Sequence, residues 1–382
     1  MNLKSIKSIV SKPLNWLYVE PNLVARKLPG VYFRSCNFCG SKEIAPFEFL
    51  YSKRPRMPPI FPMRIYGDSG LSNPFSTRLL CLQYLRCQTC GLVFISPLPK
   101  FSDINKRHFD GERNIVAWKD EDWSKYVAQK LKFISTYYEE VGIEKIRSTG
   151  RVLDVSCGPG VTIDWLQTEK GWVVTGIDPD LHSRRQAHKF FGLDIQNGLI
   201  DDLDAPEECF DWIIMDNSLE HYFDPLSALL CVFRFLRKGG YFCIIVPNAD
   251  GLSTLYYEDN LYWGHWFAYA PQVLALKLDD IGYKVYGLIA DQGGYPPDRL
   301  IQDGVDLTQE QLNQLAVREF GPNTLDYLMN HRCYADYFSL IAVKPSDAPI
   351  RSTREKSMRE IANQSITELK LIDDRLHPSK NH

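Results

Sequence analysis

The stretch VLDVSCGPG, residues 152–160, joins an apolar run to a turn of small residues. Val152, Leu153 and Val155 read as the end of a buried strand, interrupted by one carboxylate, Asp154. Gly158 and Gly160 let a backbone turn tightly and approach a ligand closely. Glycine-rich turns occur in many folds, so the neighbouring segments decide what this one is.

From residue 151 the chain alternates. RVLDVS (151–156), VVTGID (173–178), LDIQ (193–196), DWIIMDN (211–217) and YFCIIVPN (241–248) read as strands. Between them VTIDWLQTEK (161–170), DLHSRRQAHKFFG (180–192) and PLSALLCVFRFLRK (225–238) carry helical periodicity, the last closed by Gly239 and Gly240. Such alternation predicts an α/β fold with a doubly wound, mostly parallel sheet covered on both faces. Ligands of these sheets bind beyond the carboxyl ends of the strands. Asp154 and the Ser156–Gly160 turn fall at one such end, Asp178 at the next, and Asp216 with Asn217 at a third. Asp178 is placed to accept hydrogen bonds from a ribose diol. Pro159 removes an amide donor that a phosphate would want, which favours a ligand without one.

With VLDVSCGPG, GIDPD (176–180), the block FDWIIMDNSLEHYFDPLSALLCVFRFLRKGGYFCIIVPN (210–248) and HWFAYAPQVLALKLDDIGYKV (265–285), the chain resembles class I S-adenosylmethionine-dependent methyltransferases over roughly residues 150–291. That resemblance implies a Rossmann-like sheet of seven strands in the order 3-2-1-4-5-7-6, the last strand antiparallel. It implies that Asp154, Ser156, Gly158 and Gly160 contact the amino-acid part of the cofactor. Asp178 would hold the ribose hydroxyls and Pro179 would border the adenine. Gly198, Leu199 and Ile200 would run along the adenine edge. Asn217 and Leu219 would lie over the methionine side, with Glu220 and His221 at the substrate mouth. Two positions depart from the family pattern. Ser156 replaces the first glycine, which fits the motif if its φ is negative, and Leu199 stands where an acidic residue is common, with Asp201 or Asp202 as a substitute.

CNFCG (36–40) and CQTCG (87–91) share the form Cys-x-x-Cys-Gly. Cys36, Cys39, Cys87 and Cys90 together supply the four thiolates of a tetrahedral structural Zn2+ site, with each glycine letting the chain turn back on its pair. This small zinc-ribbon-like domain also resembles, more loosely, that of a methyltransferase subset encoded with sugar and surface-polysaccharide biosynthesis. The stretch KRPRMPPIFPMR (53–64) between the pairs reads as an extended loop.

Methyl transfer to a hydroxyl needs the proton removed and the nucleophile aligned. Among eight histidines, His182, His221 and His265 lie near expected strand ends. His182 belongs to the cofactor side, so His221 or His265 is the candidate general base. The aromatic residues around His265 (Tyr262, Trp263, Trp266, Phe267, Tyr269) form either a sugar-stacking platform or the core of a lid.

The chain has 382 residues, 45% hydrophobic and 13% aromatic, and a net charge of -3. That is enough for a large core, and it lacks the global basic footprint of a nucleic-acid binder. No apolar run approaches the roughly 18 residues of a membrane span. The first 19 residues carry three lysines and no acid but no signal-peptide centre, and the cysteine spacing suits a reducing cytoplasm. The expected organisation is an arm (1–34), a zinc-knuckle domain with an insertion (35–122), a methyltransferase domain (123–345; core 150–291, insertion 292–335) and a charged tail (346–382). The expected function is methyl transfer from S-adenosyl-L-methionine to a small-molecule acceptor, a sugar or glycoconjugate. The competing expectation is a methyltransferase-like module that grips RNA or protein through its knuckles.

Overall fold

The structure, a computed structural model, describes residues 35–47, 60–64, 79–96, 120–141, 149–257, 265–291, 301 and 307–347. The expected N-terminal arm, most of the charged tail, residues 292–300 of the expected insertion, Tyr262 and Trp263 lie outside these residues.

Four short strands open the described chain: β1 (Ile44–Pro46), β2 (Ile60–Arg64), β3 (Leu79–Cys87) and β4 (Val93–Ser96). Helix α1 (Asp120–Val141) follows, burying Ile134 and Tyr138 on the stripe its periodicity predicts. The alternating half then runs β5 (Arg151–Val155), α2 (Val161–Thr168), β6 (Val173–Asp178), α3 (Leu181–Phe191), β7 (Gln196–Asn197), β8 (Phe210–Asp216), α4 (Pro225–Phe235) and β9 (Leu236–Pro247). The remainder is α5 (Leu252–Tyr257), β10 (Phe267–Ala268), α6 (Pro271–Ile281), β11 (Lys284–Asp291), α7 (Gln309–Asn313), β12 (Val317–Phe320), α8 (Thr324–Asn330) and β13 (Tyr337–Val343).

The main sheet has the order β12-β11-β13-β9-β8-β5-β6-β7. The contacts among β7, β6, β5, β8 and β9 are parallel, whereas β13 is antiparallel to both β9 and β11. Successive residues of one strand serve opposite faces, as the two-residue period requires. Leu153, Val155, Ile213, Met215, Phe242 and Ile244 enter one core cluster, while Val152, Trp212, Ile214, Cys243 and Ile245 enter the other. On that second face α1 closes the layer, with the Trp172 indole donating to the Tyr138 hydroxyl at 3.1 Å.

Several expectations need correction. Eight strands form the sheet rather than seven, because β12 adds to the free edge of β11, antiparallel. Within the expected insertion the helix spans only Gln309–Asn313, and Val317–Phe320 pairs as that edge strand. The helix expected over 225–238 ends at Phe235, and β9 starts at once with Leu236 opposite Phe210. Tertiary bonds override local periodicity there: Gly239 N–H donates to Lys344 O at 2.7 Å and Lys344 N–H to Gly240 O at 3.0 Å. The short strand expected at 193–196 is Gln196–Asn197. Residues 60–64 of the expected Pro/Arg-rich loop pair antiparallel with β3.

The knuckle sheet does not end where a separate domain would. It has the order β1-β3-β4-β10, with β2 paired to β3, so its last strand comes from residues 267–268. One continuous core includes Cys36, Phe38 and Phe94 together with Trp266, Tyr269 and Leu274.

Candidate active site

At the carboxyl end of β5 the chain turns through Ser156 (φ 56), Gly158 (φ 57) and Gly160 (φ 80). The negative φ under which a serine would fit is not adopted at Ser156. The serine occupies the left-handed region that glycine visits without penalty, and its N–H donates to Ile177 O at 2.8 Å. Gly158 has no atom within 4 Å of where a Cβ would sit, so its face of the turn is open to a ligand. Gly160 differs: a Cβ there would lie 2.8 Å from Leu193 Cδ1, so packing against the chain after α3 demands the glycine.

Asp178 ties this turn to β6. Its Oδ2 accepts from Gly158 N–H and its Oδ1 from Asp180 N–H, each at 2.7 Å. Each oxygen keeps acceptor capacity for a further donor. Burial lifts its pKa to about 6, opposed by those two N–H groups, so it is ionised at neutral pH. Asp154, buried in β5, is pushed up to about 7 by burial, and the neighbouring Asp216 and Asp178 add to the rise. The Lys130 ammonium offsets this charge and forms an ion pair with Asp216. Lys130 comes from α1, so that helix brings a cation to the sheet's carboxyl edge. The sequence reading missed it, since a lysine on the polar stripe of an amphipathic helix looks like solvent-facing charge.

The other cofactor candidates divide. Pro179 lies half-buried between Asp178 and Asp180, whose side chain caps α3. His182 Nε2 is buried on this cofactor side with no hydrogen-bond partner among the described residues. Ile200 and Leu219 are fully buried in the core, so they shape the site from behind. Leu199 is partly buried against that core, and its N–H donates to Asp202 Oδ2 at 2.9 Å. Asp201 accepts from the Cys231 thiol at 2.9 Å, so both carboxylates offered as substitutes at the adenine edge already hold protein donors. Asn217 adopts φ 48 and donates from Nδ2 to Asp216 Oδ1 at 2.9 Å.

Beyond β8 a short helical turn carries Leu219, Glu220 and His221. Glu220 is 1% exposed, and neither carboxylate oxygen has a hydrogen-bond partner among the described residues. Burial raises its pKa to about 8, with Asp216 contributing. His221 Nε2 lies 3.9 Å from Glu220 Oε1, and the His221 and His265 rings meet edge-on with centroids 4.8 Å apart. The structure thus brings together both candidate bases and adds a buried carboxylate. Tyr222 follows directly; its buried hydroxyl faces the Ser156 side chain and the Ile200 backbone, which sets this corner beside the glycine turn. Trp266, Phe267 and Tyr269 are buried core residues, so the described part of the aromatic cluster is packing rather than a platform.

The four knuckle cysteines form a second cluster. Their sulfurs all lie within 4.8 Å of one another, with Cys36 and Cys90 at 3.5 Å and Cys39 and Cys87 at 3.6 Å. Thiolates about 2.3 Å from a tetrahedral zinc stand about 3.8 Å apart, so the donor set and spacing fit that ion. The two turns are built alike. Gly40 (φ 71) donates to Cys36 O at 2.8 Å and Gly91 (φ 83) to Cys87 O at 2.9 Å.

The family described as "Methyltransferase domain" matches residues 120–285. An uncharacterised methyltransferase of Schizosaccharomyces pombe is 29% identical over 128 residues, covering 30% of this chain and 45% of that protein. A ubiquinone biosynthesis O-methyltransferase of Vibrio atlanticus is 30% identical over 115 residues, 28% of this chain and 47% of that one. The chain therefore spans less than half the length of each of these curated relatives. A solved S-adenosylmethionine-dependent methyltransferase from Archaeoglobus fulgidus is 17% identical over 56% of this chain and 94% of that one, with a TM-score of 0.41. Among the described residues no helix is long and apolar enough to cross a membrane. Residues 120–285, less than half of the chain, are thus similar to a methyltransferase domain.

Proposed function

We propose that the whole chain is an S-adenosylmethionine-dependent methyltransferase whose acceptor is the hydroxyl, or a comparably acidic group, of a sugar or glycoconjugate. The observation that carries this reading is the pairing of two half-sites on one sheet edge. The Asp178-clamped glycine turn offers an open backbone face, and the Glu220–His221–His265 corner stands beside it. An oxygen acceptor is also what the name of the Vibrio relative states for that protein.

When bound, the cofactor would supply a methyl group on a positive sulfur, which leaves as a neutral thioether. Asp178 would accept the ribose hydroxyls, and the Ser156–Gly160 turn with Asp154 would hold the amino-acid end. Leu199 and Ile200 would back the adenine, and Asn217 with Leu219 would border the methionine side. His221 or His265 would take the proton that the acceptor gives up. Glu220, 3.9 Å from His221, would stabilise the imidazolium that results above pH about 8, where its buried carboxyl is ionised. Cys36, Cys39, Cys87 and Cys90 would hold a structural zinc that takes no part in the chemistry.

Calorimetric titration of zinc-replete protein with S-adenosylhomocysteine tests the reading. The expected result is one-to-one binding that weakens by at least about tenfold, roughly 1.4 kcal/mol, in Asp178→Ala. Unchanged binding in that variant would overturn the cofactor assignment. Salt-sensitive RNA binding in its place would point to the gripping module instead.

A further inference from the structure

We infer that the first cysteine knuckle is the buttress of the acceptor corner, so that metal binding by the four thiolates sets the geometry of His221 and His265. The inference rests on the acceptor role proposed for that corner, but its physical basis is independent of the cofactor.

Three connections run from the knuckle domain into the turn that carries Glu220 and His221. The first is main chain: Ile95 N–H, on β4 just past the second knuckle, donates to Trp266 O at 3.0 Å. Trp266 N–H in turn donates to Glu220 O at 2.8 Å. Strand β4 thus holds the residue beside His265, and that residue holds the one beside His221. The second is aromatic: Phe38, inside the first Cys-x-x-Cys, stacks on Tyr269 with centroids 5.7 Å apart and planes 27° from parallel. The Tyr269 hydroxyl donates to Leu219 O at 3.3 Å. The third is polar: Asn37 Nδ2 donates to Asp224 Oδ1 at 3.4 Å. The Asp224 carboxylate caps α4, accepting from Ser227 N–H at 3.1 Å and Ser227 Oγ at 2.8 Å. Residues 219–224 are therefore pinned at both ends by residues 37 and 38.

The knuckle is itself anchored on the catalytic domain. Lys277 of α6, 6% exposed, donates to Phe38 O at 2.6 Å and to Asp280 Oδ2 at 3.1 Å. Phe38 is only 1% exposed. It cannot leave Tyr269 without opening the common core, and its position follows from the closure of the loop between Cys36 and Cys39. No comparable bond is recorded between the described knuckle residues and the Ser156–Gly160 turn, whose clamps are Ile177 and Asp178. Asn37, Phe38 and Tyr269 are positioning residues in this scheme.

The test uses full-length protein and needs no acceptor. Nuclear magnetic resonance of the histidine ring ε1 positions would be recorded with zinc bound, after chelation, and in Tyr269→Phe and Asn37→Ala. His221→Gln and His265→Gln variants assign the two signals. S-adenosylhomocysteine affinity and zinc content would be measured on the same samples. The expected outcome is that chelation moves the His221 and His265 resonances and leaves those of His182 and His188, while the affinity changes less than threefold. Tyr269→Phe and Asn37→Ala should move the same two resonances with zinc content intact, which answers the case in which chelation unfolds the chain. Unmoved His221 and His265 signals in both variants would overturn the inference, as would protein prepared with excess zinc that retains no metal. Failure of the cofactor to bind the native protein would overturn the proposed function and leave the resonance result standing.

Discussion

The two halves of the ligand edge are held in different ways. The proposed cofactor half is secured by its own strand–turn–helix unit: Asp178 receives Gly158 and Asp180 N–H, and Ser156 N–H reaches Ile177 O, all within about two dozen residues of sequence. The proposed acceptor half borrows its support across the chain, from Asn37 and Phe38 to Asp224 and Tyr269, and from Ile95 to Trp266. Local closure costs little chain entropy and can be specified by a short motif, whereas the remote contacts require the whole core to form first. A scaffold arranged this way can keep its cofactor site while the acceptor side varies with whatever domain is docked against it.

The largest expected effect breaks that asymmetry on purpose. Cys87→Ser removes a fully buried thiolate from the four-sulfur set, and structural zinc sites of this type contribute on the order of 10 kcal/mol to the folding of their domains. Zinc content measured by mass spectrometry is expected to fall to background, with early melting of the knuckle sheet seen by hydrogen exchange over residues 79–96. The amides of 151–178 should keep their protection. Equal loss of protection in both segments would mean that the two halves form one cooperative unit and that the contrast is only geometric.

How much of this was legible in the sequence follows the same division. The turn 152–160, Asp178 and the strand–helix alternation were readable because each depends on neighbours a few residues away. The four cysteines were readable because ligand spacing is itself a motif. Lys130 was not, since nothing in an exposed helical stripe says that it will lie against Asp216. The early start of β9 was hidden because Lys344, more than a hundred residues on, supplies the bonds that pull Gly239 and Gly240 into the sheet. Edge strand β12 was hidden because its pairing with β11, not its own periodicity, decides between strand and helix. The meeting of Glu220, His221 and His265 was legible only as two separate candidates, because the ring contact of His221 with His265 joins residues 44 positions apart.

A smaller effect sharpens the acceptor side. Glu220 has a native pKa raised to about 8 by burial, above its unfolded value of about 4.5. The native state therefore binds more protons than the unfolded chain between those values, and stability falls as pH rises through that window. Asp178 (about 6) and Asp154 (about 7) act in the same direction at lower pH, so Glu220 dominates the span from pH 7 to 8. Denaturant unfolding of the wild type should lose about 1 kcal/mol across that unit of pH. Glu220→Gln should flatten the slope there. A slope that persists in the variant would assign the titration to another group and remove the buried carboxylate from the corner's electrostatics.

The smallest expected effect tests the cofactor side at its one departure from a glycine pattern. Ser156 sits at φ 56, where a side chain costs about 1–2 kcal/mol relative to an unstrained residue. Glycine would remove that strain and give back about 0.5–1 kcal/mol through greater freedom of the unfolded chain. Ser156→Gly should therefore stabilise the protein by roughly 0.5–1 kcal/mol in denaturant unfolding, with S-adenosylhomocysteine affinity held within about twofold. Gly158→Ala is the counterpart. It places a methyl group at φ 57 on the open face of the turn, so binding should weaken while the surrounding packing, with no atom within 4 Å, takes no steric load. If Ser156→Gly instead destabilises the fold, the serine hydroxyl must earn its strained backbone through the neighbouring Tyr222 hydroxyl. The two half-sites would then be joined at that contact.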